Sequence, residues 1–187
     1  FQKTERIAGM AALLAAKLAP HYEAASREAA LLSKADLVTE MVFEFPDLQG
    51  VMGKYYSKNS GVSEEVSTAI EEHYKPAFKG DRVPSNMPAS MVALADKFDN
   101  LTCCFNLNMT PTSGGDPYGL RRAVFGIIQI IEKNGFPLSF DWALDTSLAL
   151  VAGQGFLKGD PAALKGKIRD FIKGRMESHL TEKGYAY

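Results

Sequence analysis

The chain has 187 residues, 46% of them hydrophobic and 23% charged, with a formal net charge of -1. That length supports one good core with an appended subdomain, and the balance excludes both a disordered chain and a global positive field that would draw the whole protein onto nucleic acid. No apolar run reaches the ~20 residues needed to cross a bilayer, so no membrane partner is expected, and the adjacent Cys103 and Cys104 read as small buried thiols of a reducing compartment.

The pattern is helical nearly throughout. Ile7, Met10, Ala11, Leu14 and Leu18 recur at three- and four-residue spacing and predict one apolar helix face. Pro20 should end that helix, because it lacks a backbone donor and crowds the preceding turn. A second helix is expected over 21–32. Ser33 is placed to cap a third, carrying Leu37, Met41 and Val42, which Pro46 should break. Residues 47–56 predict a helix with Leu48, Val51, Met52 and Tyr55 on one side. Gly50 and Gly53 would each cost ~1 kcal/mol against alanine in that helix, so the pair implies close approach by another helix.

Ser63 and Val66 open a helix to about residue 74, with Glu64 and Glu65 complementing its N-terminal dipole. Residues 76–88 carry three prolines and predict an irregular connection. Val92, Ala95, Phe98, Leu101 and Thr102 are in helical phase over 91–105. Asp116 and Pro117 look suited to the cap and first position of the next helix, which Gly135 and Pro137 should close. Helices over 141–151 and 161–183 complete an all-α chain, with a boundary expected near 153–161. Because the chain opens on Phe1 and closes on Tyr187 directly after a helical pattern, it reads as a domain cut from a longer polypeptide.

The histidines His21, His73 and His179 are far apart and form no zinc spacing. Asp36, His73, Asp96 and Asp99 are the ionisable residues of the most apolar helices. A buried carboxylate must be paired, ligate a metal or accept from backbone donors. The first reading of Asp36 and Asp96 is therefore as capped or paired core groups, with Lys34 and Lys97 as partners, and metal ligation is the alternative.

Four motifs in order, KADLVTEMVFEFPDLQGVMGKYY, AIEEHYKP, VALADKFDNL and GGDPYGLRRAVFGII, resemble the HD-type domain of the β subunit of bacterial glycyl-tRNA synthetases. DFIKGRMESHLTEKGYAY resembles the start of that family's anticodon-binding-like C-terminal region. The resemblance covers roughly residues 5–187. It implies an HD-domain-like helical bundle over 1–153, with additional C-terminal helices from 154–187. HD-type hydrolases hold a metal with a histidine, a His-Asp pair and a distal aspartate. By resemblance Asp36 and Asp96 match the two aspartates and His73 a further histidine, but Ala35 stands where the pair's histidine should be and Lys34 brings a positive charge beside it. Two carboxylates without that imidazole make a poor transition-metal site. The resemblance thus implies a scaffold without hydrolase chemistry, with no metal and no catalytic residue in this chain. A phosphohydrolase using Asp36, His73 and Asp96 is the alternative, and a purely structural interaction module is the third reading.

The resemblance also implies partners. The family joins glycine to its tRNA with ATP and Mg, in a cytoplasmic assembly of two α and two β subunits whose α subunit holds the adenylation site. No GxxxxGK[ST] loop occurs here, so no cofactor is expected within the chain. Contact with glycine tRNA would need local positive charge. Residues 158–184 hold seven cations against four carboxylates, an excess of three. Lys165, Arg169 and Lys173 fall on one helical stripe with Lys167 beside it, and Arg121 and Arg122 form a second basic candidate, one of them free to pair with Asp96 or Asp99. Lys54, Tyr55, Tyr56 and Lys58 form a weaker basic-aromatic group, in which Tyr55 is expected in the core.

Overall fold

The computed structural model describes residues 1–78 and 80–185. The last two positions of the C-terminal motif, Ala186 and Tyr187, lie outside them. Nine α-helices and no strand occur among the described residues. Backbone contacts divide the chain into two compact units, Phe1–Asp96 and Lys97–Tyr187.

In the first unit, α1 (Gln2–Leu18) packs on α2 (Glu23–Leu32) through the predicted stripe, with Ile7, Met10, Ala11 and Leu14 fully buried. Pro20 ends α1 as expected and starts a single 3-10 turn, Pro20–Tyr22. The next segment departs from expectation. Ser33 is no N-cap: it closes α2, and its hydroxyl donates back to the Ala30 carbonyl at 2.8 Å. A 3-10 turn follows over Ala35–Val38, and Thr39 caps the short α3 (Glu40–Glu44) by accepting from the Val42 amide. Leu37 and Met41 are consequently half exposed rather than core.

Helix α4 (Val51–Asn59) starts later than the apolar spacing suggested, because Gly50 adopts φ 80 just before it. That left-handed geometry suits glycine and stops helix running through from residue 47. Its buried face is Gly53 and Ser57, so Tyr55 points outward, correcting its expected core position. Helix α5 (Glu64–Glu72) packs against α4 and α2, capped by Ser63 as predicted. The close approach foreseen from the glycines is real at Gly53, where an added Cβ would stand 2.7 Å from Ile70 Cγ2. Within α6 (Met87–Asn106), Met91 through Ala95 are all fully buried, so this stretch is surrounded by protein.

In the second unit, α7 (Leu120–Asn134) and α8 (Phe140–Gly153) both pack on α9 (Pro161–Glu182). Asp116 does cap α7, its two oxygens accepting from the amides of Leu120 and Arg121, but from four residues away. Pro117 is therefore outside the helix, and Gly119 with φ 64 makes the entry. Gly135, also at φ 64, closes α7, as the sequence indicated. Leu164, Ile168 and Ile172 form the buried stripe of α9, leaving its remaining faces to charge. Cys103 and Cys104 are half-buried and in no disulfide.

Candidate functional site

The first unit gathers a group of ionisable side chains around Lys34. The residue sits between α2 and the 3-10 turn, where the chain reverses, and its stem runs inward so that its side chain is only 13% exposed. Its ammonium lies 2.6 Å from His73 Nε2, 3.5 Å from Asp96 Oδ1 and 4.0 Å from the centre of the Tyr74 ring. His73 closes α5, and its Nδ1 lies 2.6 Å from the Ile70 carbonyl. A carbonyl only accepts, so Nδ1 carries the proton and Nε2 presents a lone pair to the ammonium. Lys3, from the first turn of α1, brings a second ammonium to 3.2 Å from Asp96 Oδ1.

Asp36 has a different task. Its Oδ2 accepts from the amide of Gly50 at 2.6 Å and from that of Gly53 at 3.2 Å. Those amides belong to the start of α4, where backbone donors have no partner inside the helix. The carboxylate thus caps α4 from 14 residues away, and its charge also suits the positive end of the helix dipole. The reading of Asp36 as a capped core group agrees with this geometry.

These placements set the electrostatics. Burial pushes the Lys34 amine below its ordinary value, partly opposed by the Asp96 carboxylate. Burial pushes the Tyr74 phenol up, and the nearby negative charges of Asp36 and Asp96 push the same way. Another buried carboxylate, Glu72, is held down: hydrogen bonds from Ser85 and Arg82 outweigh the cost of its burial.

The three positions matched to a metal set do not make one. His73 and Asp96 do converge, but an ammonium stands between them, and Asp36 spends its Oδ2 on backbone donors. No group of three or more His, Cys, Asp or Glu able to hold a metal occurs among the described residues. An ammonium within hydrogen-bond distance of an imidazole lone pair competes for the electrons a metal would need, and its charge repels a cation. The residues therefore do not fit the ion of an HD-type hydrolase. Lys34 was visible in the sequence as a neighbouring charge. Lys3 and Tyr74 were missed, since nothing local in α1 or after α5 shows that they reach this point.

The second unit carries the basic residues. Lys165 pairs with Asp145 at 2.8 Å and Asp141 at 3.4 Å, and its hydrogen bond to Asp145 pushes its amine up. Arg169 lies 3.9 Å from Asp141, and Lys173 lies 3.8 Å from Glu177. The stripe exists, but α8 supplies carboxylates beneath its N-terminal half. Lys167 is exposed and lines a cavity of about 310 Å³ with Asn106, Asn108 and Lys158. Arg121 donates to the Thr112 carbonyl at 2.8 Å, whereas Arg122 is exposed. Lys54 and Lys58 pair with Glu71 and Glu64, so the basic-aromatic group on α4 is largely neutralised.

No described helix is long and apolar enough to cross a membrane. The family model described as glycyl-tRNA synthetase beta subunit matches residues 1–187. Among curated proteins, the glycine–tRNA ligase beta subunit of Magnetococcus marinus is 40% identical over 189 residues, covering 100% of this chain and 27% of that protein. The corresponding subunit of Aromatoleum aromaticum is 42% identical over 187 residues, covering 99% and 26%. That of Haemophilus influenzae (strain PittEE) is 41% identical over 184 residues, covering 98% and 26%. The chain thus spans about a quarter of the length of these relatives.

Proposed function

Because the chain belongs to the glycyl-tRNA synthetase beta subunit family, we propose that it works as a non-catalytic helical module of glycine–tRNA ligase, supporting tRNA binding and subunit assembly. In this reading residues 1–153 are an HD-like helical domain with a degenerate metal site, and 154–187 open an anticodon-binding-like region. ATP and Mg act in the whole enzyme, outside this chain. The partners are glycine tRNA and the α subunit, in a cytoplasmic assembly of two α and two β chains.

One observation carries the non-catalytic part: the Lys34 ammonium between His73 and Asp96. It puts a tethered amine within hydrogen-bond distance of groups that hydrolysis would need to hold an exchangeable ion with an open coordination position for water. The hydrolase alternative would require Asp36, His73 and Asp96 to release their present partners together.

RNA contact is supported by exposed cations, chiefly Arg122, Lys167, Arg169 and Lys173. Lys165 is the weakest member, because two aspartates already share its charge. The test is a salt titration of binding between the chain and glycine tRNA, with an unrelated tRNA beside it. Affinity should fall log-linearly with salt, with a slope of roughly 0.7 to 0.9 per phosphate contact. Reversing Lys167, Arg169 and Lys173 to glutamate should flatten that slope, while Lys165→Glu alone should change it least. Absence of binding at low salt would remove direct RNA contact and leave assembly as the role.

A further inference from the structure

The segment between α2 and α4 exposes more apolar surface than a free helical unit needs. Val38 is 89% exposed, Phe43 84% and Phe45 56%, with Leu37 and Met41 half exposed between them. All five fall in one nine-residue stretch, on the 3-10 turn, on α3 and at its end. Only Val42 of α3 is buried, so this helix contributes little to its own unit's core. Scattered single apolar residues on a surface are ordinary, but five large apolar side chains exposed within nine residues point to a contact surface.

Charge narrows the partner. Residues 35–53 contain Asp36, Glu40, Glu44 and Asp47, and no lysine or arginine. Glu40, Glu44 and Asp47 are exposed around the apolar cluster. An acidic rim repels phosphates, so exposed aromatics here are poor platforms for RNA bases. The complementary surface is a protein segment with apolar side chains flanked by lysine or arginine. The same turn that sends Val38 outward places Thr39 in the wall of a cavity of about 360 Å³, lined mainly by Leu32, Tyr56, Val62 and Ile70. That volume accepts a large apolar side chain. Asp36 also lines the cavity, and its buried Oδ1 has no hydrogen-bond partner among the described residues. A donor arriving from outside would answer it.

We propose that the face formed by Val38, Phe43 and Phe45, with its acidic rim and neighbouring cavity, docks a basic, apolar-faced segment of the same β-type polypeptide lying outside these 187 residues. This rests on the reading of the chain as one module of a longer β subunit. In the relatives about three quarters of the length lies beyond the matching region. A tethered segment meets this face at high effective concentration, without a separate binding event.

The experiment places benzoyl-phenylalanine at position 43 of the full-length β subunit, purified with its α partner and irradiated with and without glycine tRNA. The exposed Arg27 of α2 serves as the control position, and position 38 repeats the test on an independent variant. The expected product is a crosslinked peptide from the same β chain, outside this region and containing lysine or arginine, in severalfold higher yield than at position 27. The triple change Glu40→Lys, Glu44→Lys and Asp47→Lys should lower that yield severalfold. Crosslinks to the α subunit, to a second β chain or to tRNA, or a yield equal to the control, would overturn the proposal. Absence of tRNA binding at low salt with the β crosslink intact would instead count against RNA contact alone, so the two readings fail separately.

Discussion

Replacing Lys34 with alanine is expected to lower the unfolding free energy by about 3 kcal/mol, the low end for breaking a buried charge pair. Two effects oppose each other. Removal relieves the desolvation that holds the amine below its ordinary value. It also takes the donor from His73 Nε2, leaves Asp96 with less positive charge, and empties the space of a buried four-carbon stem. The second group of losses should win, because a donor, an ion-pair partner and buried packing are removed at once. Lys34→Met keeps most of the stem and removes only the charge and donor, so its cost should be smaller, roughly 1–2 kcal/mol. Urea unfolding of the three proteins reads both differences. A loss near zero for the alanine variant would show that the ammonium is not held as described. The pH dependence has a defined sign. Lys34 holds its proton less firmly folded than unfolded, so its contribution to stability rises as pH climbs through the lowered value toward 10.5. That rise should vanish in the alanine variant.

Gly53→Ala should cost about 2 kcal/mol, although alanine is the better helix former by ~1 kcal/mol. The new methyl would stand 2.7 Å from Ile70 Cγ2 and 3.2 Å from Asp36 Oδ2. Ile70 is fully buried and cannot swing away, and Asp36 is held by the two amides that it caps. Steric conflict therefore outweighs propensity. A double-mutant cycle isolates the cause. In an Ile70→Ala background the 2.7 Å obstruction is gone, and the penalty at position 53 should shrink to the part that the Asp36 contact contributes. If Gly53→Ala is equally costly in both backgrounds, the contact between α4 and α5 is not what requires glycine.

Much of this fold was legible because it rests on local signals. The spacing of Ile7, Met10, Leu14 and their neighbours defined α1, Ser63 capped α5, and Gly135 closed α7. The misreadings share one physical origin, the short irregular turns that precede helices. Ser33 and Thr39 are both acceptable caps by composition, and only the 3-10 turn between them decides that Thr39 does the capping. Asp116 caps at a distance because Gly119 inserts a left-handed residue. The site was legible in its members and not in its wiring. Asp36, His73 and Asp96 could be picked out as ionisable residues in apolar surroundings. That the first caps α4 while a lysine joins the other two depends on side chains 39 residues apart, which no local pattern encodes.

The most direct test of the central claim, that a lysine ammonium takes the place of an exchangeable ion, is calorimetric titration of Zn²⁺ or Mn²⁺ into the wild-type chain and its Lys34→His variant. The variant exchanges the ammonium for an imidazole beside His73 and Asp96, a donor set suited to a divalent ion. The account predicts no specific binding by the wild type and one bound equivalent in the variant, with metal-dependent gain in thermal stability only there. Tight stoichiometric binding by the wild-type chain, accompanied by hydrolysis of a phosphate ester that a chelator abolishes, would contradict it and restore the hydrolase reading.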